Sequence, residues 1–413
     1  VRAAGVPPRL LVAGGGAAGF FGAVVAAEAC PGLAVMILEQ GHEVLGKVRI
    51  SGGGRCNLTH ACWDPKELVQ AYPRGQRELL GPFHKFGPAD TVAWFGDRGV
   101  ETKVEADGRM FPVSDQSQSV VDCLQKAARA AGVVVRTRTA VQALRPREGA
   151  WEVSTARGPL YAERLLVATG SSARMWKLLG ELGHQMVPPV PSLFTFNIRD
   201  PRLEGLAGVS VPQAEVSLPA LGMSQSGPLL ITHWGLSGPA VLKLSAIGAR
   251  ALEKVAYRFE LVINWCGQSP EAVMADLETA RRERPRKKVV NHSLGAIPQR
   301  LWERMVQQAG VAPGQTWAQL RRKEMTALLQ ELTAARLRAQ GKSTFKEEFV
   351  TAGGVSLREV DFRRFESRVW PGLHLAGEVL DIDAVTGGYN FQAAWTGGWL
   401  AGQAIAADLA KSW

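Results

Sequence analysis

The residues in this chain that could support chemistry are clustered glycines with one acid at a set distance. Gly14, Gly15, Gly16, Ala17, Ala18 and Gly19 follow an apolar run at 10–13; a small-residue stretch to residue 29 then leads to a second apolar run at 33–38, ending in Glu39. Strand, glycine turn, helix, strand and acid together predict a dinucleotide-binding unit, which the glycine pattern alone would not. Gly14 allows the tight turn. Gly16, with Ala17 and Ala18, brings backbone N–H groups to a pyrophosphate at a helix N-terminus, and Gly19 lets helix and strand close up. Glu39, followed by Gln40, stands where a carboxylate accepts ribose hydroxyls, and its charge repels a 2′-phosphate. FAD or NAD fits there and NADP does not. A glycine-rich turn in an ordinary α/β domain is the plainer alternative, made weaker by the complete context.

Glycines recur in Ser51-Gly52-Gly53-Gly54-Arg55-Cys56-Asn57-Leu58-Thr59, in Thr351-Ala352-Gly353-Gly354-Val355, in Gly377-Glu378-Val379-Leu380-Asp381 and in Thr386-Gly387-Gly388-Tyr389-Asn390-Phe391-Gln392. Successive glycines expose N–H groups that cradle oxygens and leave no side chain in the way of an approaching ring. The two ends of the polypeptide are thus expected to hold one long cofactor, FAD, with the last run opening a helix. An apolar strand at 164–168 ends in Ala168-Thr169-Gly170, a sequence found where flavoproteins return a strand to the FAD sheet. Cys56 offers a thiol as acid or redox partner; a small residue packed beneath a ring is an equal alternative, because no Cys-x-x-Cys partner is present. His233, ahead of Gly235-Leu236-Ser237-Gly238-Pro239, is the better candidate for substrate contact or proton donation, against a structural turn histidine. Arg109 and Tyr389 rank behind it.

Such clusters need an α/β framework. Residues 1–190 read as alternating strands and helices, with a helix near 119–130 and strands at 133–138 and 164–168, and residues 344–413 return to this FAD-binding domain. The stiff Val187-Pro188-Pro189-Val190-Pro191 leads into a small β domain at 191–266, followed by a basic helical domain at 267–343 with helical periods at 270–281, 298–309 and 317–332. A length of 413 residues suits two or three domains.

Composition narrows the chemistry. The uncharged stretch 10–27 could pass for a membrane span or signal peptide, but its five glycines and the strand pattern behind it predict a buried strand, turn and helix. No membrane partner is expected. Five cysteines, an odd number without zinc-ligand spacing, predict a reducing, cytoplasmic setting and no metal. The chain opens on Val1, which leaves open a trimmed start, an alternative start codon or a removed targeting peptide with an organellar location. No Gly-x-Ser-x-Gly elbow, Walker loop or His-Glu-x-x-His helix occurs, so the reaction is expected to come from the cofactor.

The ordered motifs resemble the BaiN and aminoacetone-oxidase-like family of FAD-dependent flavoproteins, which includes a ribosomal-RNA dihydrouridine synthase. The resemblance spans nearly the whole chain and rests on 51–57, Asp107-Gly108-Arg109-Met110-Phe111-Pro112, 232–239, 351–355 and 377–398. It implies an FAD domain of glutathione-reductase type, interrupted by a β-barrel-like domain and a helical domain. It also implies that Gly14 to Gly19 and Glu39 hold adenosine and pyrophosphate, and that Lys47, Ser51, Gly53, Arg55, Cys56 and Asn57 lie along phosphates and flavin. Gly377, Glu378 and Asp381 would meet pyrophosphate and ribitol, and the helix after Gly388, with Asn390, Phe391 and Gln392, would aim its positive end at the flavin N1 edge. Thr169 and Gly170 belong to the same set, and the Val141 backbone is placed at adenine by strand position. Val48-Arg49 and Ser171-Ser172 depart from the usual family wording.

The expected activity is hydride transfer from NAD(P)H, bound transiently, through flavin N5 to an activated C=C bond in uridine of structured RNA or in an enone-like small molecule. An amine oxidase yielding peroxide and a flavin-bearing RNA-binding protein are the alternatives. The net charge of +10 is concentrated: residues 271–342 hold 14 Lys and Arg against 7 Asp and Glu. Within it, 281–288 and 321–323 could meet RNA phosphates or form a solvated face.

Overall fold

The computed structural model describes residues 9–343 and 350–411. The chain forms two compact units, one built from the N-terminal part up to Val190 together with the C-terminal part, the other beginning at Pro191. The boundary expected at residue 344 lies outside the described residues.

The first unit is organised by a seven-stranded sheet. Five strands run parallel in the order Val134–Arg136, Val35–Leu38, Leu10–Ala13, Arg164–Val167 and Leu373–Leu375, and two short antiparallel strands, Glu366–Ser367 and Val360–Asp361, extend the far edge. The central strands are unbroken apolar runs because both faces are covered. Strand order reverses between Leu10–Ala13 and Arg164–Val167, which opens a crevice at their carboxyl ends.

Helix Ala17–Ala29 is buried from Ala18 to Ala27, as the expectation for the uncharged stretch required. It meets the long C-terminal helix Tyr389–Ala410 backbone to backbone. A Cβ on Gly398 would stand 2.7 Å from the Ala18 carbonyl oxygen, and one on Gly402 would stand 2.7 Å from that of Gly22. No helix among the described residues is long and apolar enough to cross a membrane.

The second unit is a closed barrel of six strands, in the order Thr195–Ile198, Gly235–Ser237, Met223–Thr232, Ser210–Leu218, Arg258–Asn264 and Ala335–Ser343. Helices Pro270–Glu283, Gln299–Gln308 and Arg322–Thr333 share one apolar core with it, in which Leu277, Trp302 and Leu328 join Val216, Leu229 and Ile263. The helical reading of 267–343 therefore overran: residues 335–343 close the barrel. Their period is two, with Ala335, Leu337 and Ala339 buried and Arg336 and Arg338 exposed between them.

Candidate cofactor cradle

At the head of the crevice, Gly14 has φ +108°, and a side chain there would overlap the Ala168 carbonyl. A side chain on Gly19 would overlap the Gly14 carbonyl. Both glycines are fixed by close approach, as the fingerprint predicts. Gly16 caps helix Ala17–Ala29 without any side chain of its own, leaving the helix N-terminus bare. The Glu39 carboxylate accepts the Gly15 N–H at 2.8 Å and the Gly41 N–H at 2.7 Å, which locks it beside the turn with lone pairs remaining for hydroxyl donors. Around it lies a cleft lined by Gly14, Gln40, Val141 and Thr169, and also by Thr139, Ser172 and Arg174, which the sequence reading missed. Ser172, one of the departures from family wording, caps helix Ala173–Glu181 through the Met175 N–H.

A second group follows along the crevice. Lys47 pairs with Glu378 at 2.5 Å, a Cβ on Gly377 would sit 3.2 Å from that of Ala18, and Glu378 lies 3.6 Å from where a Gly170 side chain would begin. One cation, one acid and a bare helix N-terminus thus meet where a pyrophosphate is expected. Asp381 is buried, and its backbone N–H is bonded to the Val355 carbonyl.

The third group is the glycine loop after Val48. Helix Gly46–Gly54 breaks at Ser51, and Gly52, Gly53 and Gly54 take φ of +60°, +67° and +84° before the Cys56 N–H returns to the Ser51 carbonyl. Side chains at Gly53 or Gly54 would meet nothing within 4 Å, so the loop presents bare backbone to an open face. Asn57 joins it to the C-terminal helix, donating to the Thr59 carbonyl at 3.1 Å and accepting the N–H of the cap residue Gly388 at 2.9 Å. Asn390 hydrogen-bonds both the N–H and the carbonyl of Ala384, and bidentate pairing of Arg74 with the fully buried Asp383 pins the same loop.

Several predicted roles change. Cys56 has no exposed surface, and burial pushes its thiol up to about 12, so at neutral pH it stays protonated and is packing rather than a reactive thiolate. The Gln392 side chain does not face a ligand: its Oε1 accepts from Thr59 at 2.6 Å and Thr91 at 3.0 Å, and its Nε2 donates to Thr396 at 3.1 Å, all buried. Arg109 is engaged by Asp107 at 2.7 Å and Glu105 at 3.1 Å, and Glu105 also holds Arg55, which lies 3.9 Å above the Phe111 ring. Both arginines therefore brace the glycine loop through the shared Glu105. Tyr389 stacks on His60 at 4.6 Å, a partner the sequence did not suggest, and burial raises its phenol to about 12. His233 lies in the second unit, exposed in the turn after Met223–Thr232, and makes no hydrogen bond or ion pair with another described residue.

A Ser–His–acid series is also present, with Ser367 Oγ 3.2 Å from His184 Nε2 and His184 Nδ1 2.9 Å from Glu359. Its histidine is fully covered and Ser367 Oγ already accepts the Val369 and Trp370 N–H groups, so the series ties a loop, a turn and a strand together rather than attacking a substrate.

One observation tests the fit of FAD directly. The Thr169 hydroxyl is buried at the cleft wall without a hydrogen-bond partner among the described residues, and such an orphan is costly unless a ligand or water completes it. With the bare glycine loop and the Glu39 carboxylate, the residues present suit a flavin dinucleotide. Fold and cradle define the class, the FAD-dependent oxidoreductases. A family model described as HI0933-like protein Rossmann domain matches residues 8–404, and the chain belongs to that family. It is 31% identical over 412 residues to a ribosomal RNA dihydrouridine synthase of Escherichia coli (strain K12), covering 96% of this chain and 98% of that protein. It is 28% identical over 413 residues to a 3-dehydro-bile acid delta(4,6)-reductase of Clostridium scindens, covering 96% and 99%. Among solved structures, a 3-ketosteroid delta1-dehydrogenase from Sterolibacterium denitrificans shares the fold at a TM-score of 0.52 and 12% identity, covering 97% of this chain and 99% of that one.

Proposed function

We propose that this protein is a reductase of activated C=C bonds that draws its electrons from NAD(P)H. The carrying observation is the junction of the bare Gly52–Gly54 loop with the Gly388-capped helix through Asn57, which sets a helix N-terminus beside an unobstructed backbone face. Bound FAD would supply the two-electron carrier, accepting hydride from NAD(P)H and delivering it from N5 to the electron-poor carbon. The chain's own residues would do the rest. Glu39, Thr169 and the N-terminus of helix Ala17–Ala29 hold the adenosine diphosphate end, and Lys47 offsets its charge. The N-terminus of helix Tyr389–Ala410 favours negative charge at the flavin edge. His233, exposed and unpartnered, is available to position a substrate or hand it a proton. The names of two full-length relatives support the bond type, since dihydrouridine and a delta(4,6)-reduced bile acid are both products of saturating a C=C bond conjugated to a carbonyl. Uridine in ribosomal RNA and an enone-bearing small molecule are accordingly the two substrate classes.

Anaerobic mixing of the FAD-loaded protein with NADH or NADPH should bleach the flavin band near about 450 nm. Adding deproteinised ribosomal RNA or a 3-oxo-4-ene steroid should restore it. Bleaching by a primary amine, with no response to either nucleotide, would reject the reductase reading in favour of an oxidase.

A further inference from the structure

The two basic clusters, separated by more than thirty residues in sequence, are brought together on one surface by the fold. Helix Pro270–Glu283 ends in Arg281 and Arg282 and runs into Arg284, Arg286, Lys287 and Lys288. The backbone of this segment is zipped to the 315–318 segment: Trp317 N–H bonds to the Lys287 carbonyl, Ala318 N–H to the Pro285 carbonyl and Val289 N–H to the Gln315 carbonyl, each at 3.0 Å. Three residues beyond Ala318, Arg321, Arg322 and Lys323 open helix Arg322–Thr333, which packs against helix Pro270–Glu283.

All nine of these cations are exposed, and none makes an ion pair with another described residue. Elsewhere arginines are neutralised locally, Arg202 by Asp200 and Glu331 and Arg364 by Glu366 and Asp408. The one acid within these segments is the exposed Glu283, and Glu324, next after Lys323, is taken up by the Arg321 N–H and Gln315. Concentrated like charge raises the energy of the folded protein unless a polyanion meets it. No large apolar side chain is exposed in either segment, so the surface lacks the wedge that a membrane-surface helix inserts.

We propose that this surface docks the phosphate backbone of structured RNA, adding a sequence-independent grip to whatever the cofactor cradle contributes. The choice of RNA among polyanions rests on the RNA branch of the proposed function; the surface itself does not.

The test uses the full-length, FAD-loaded protein and a fluorescein-labelled, deproteinised ribosomal RNA fragment, with anisotropy read across a potassium chloride series. The wild type should show a steep logarithmic salt dependence, at about 0.7 to 0.9 per phosphate contact. The K287A/K288A/R322A variant should bind at least about tenfold more weakly and lose about two to three units of slope, with its flavin spectrum unchanged. Unchanged affinity and slope in that variant would overturn the proposal. So would preferential wild-type binding to phosphatidylglycerol vesicles, which would assign the surface to a membrane. RNA bound through this surface with no uridine reduced leaves the docking intact and removes the RNA substrate. Uridine reduced with affinity undiminished in the variant removes the docking alone.

Discussion

Thr169 shows how a single buried atom can oppose stability and serve binding. Its hydroxyl lines the cleft beside Gly14 and Glu39 and lacks a partner. Thr169→Val removes the unsatisfied group, so the FAD-free protein should gain about 1 kcal/mol in urea unfolding. The same substitution should weaken FAD binding about tenfold by fluorescence titration, which is ~1.4 kcal/mol. A variant that loses stability without FAD while binding it normally would show that the hydroxyl is satisfied within the protein. Cys56 makes the complementary point. Its position in a glycine loop suggested reactivity, yet complete burial fixes it as a thiol, and burial depends on tertiary packing that no local spacing reveals.

At the scale of elements, the loop before helix Tyr389–Ala410 is held by charge as well as by glycine. Arg74 and Asp383 are 11% and 0% exposed, and their bidentate pairing fastens the loop at Asp383, as Asn57 does at Gly388. Removing one partner leaves an uncompensated buried charge, so Arg74→Met should cost about 3–5 kcal/mol by chemical denaturation. Arg74→Met combined with Asp383→Leu should recover a large part of that loss, because an apolar pair removes both desolvation penalties. Additive losses in the double variant would mean that the two residues act independently. Neither residue stood out in the sequence, because the pairing joins positions far apart in the chain. Elements with strong local signals were legible: the expected start and end of helix Ala17–Ala29 match, and strand Arg164–Val167 is one residue shorter than expected. The sixth barrel strand was misassigned because helical periods upstream masked its alternation.

At the scale of the whole molecule, stability should depend on pH through one histidine. His374 is fully buried, bonded through Nδ1 to the Arg364 carbonyl at 3.1 Å, and its Nε2 has no partner among the described residues. Burial pushes its pKa down to about 4. The folded state therefore keeps the ring neutral, whereas the unfolded chain protonates it near about 6.5. This contribution is fully present above that value and is lost as pH falls toward about 4, for a total of order ~3 kcal/mol. The melting temperature should decline across that window, ahead of the carboxylate-driven loss at lower pH, and His374→Leu should flatten the decline. A slope that persists in the variant would place the titrating group elsewhere. The broad architecture was readable because glycine turns, proline-rich crossings and charge density are local properties. The roles of Gln392 and Arg109 were not, since each depends on partners supplied by folding.

The crossing of Gly22 with Gly398 and Gly402 also sets an order of events during synthesis. The helix on which Ala17–Ala29 leans is the last of the described elements to leave the ribosome, and strand Leu373–Leu375 emerges only shortly before it. The first-made segment must therefore wait, its apolar faces open, while the barrel and its helices are translated and gather their own core. A yellow nascent chain would signal that translation has passed helix Tyr389–Ala410, which makes cofactor capture a report on the meeting of two segments made far apart in time.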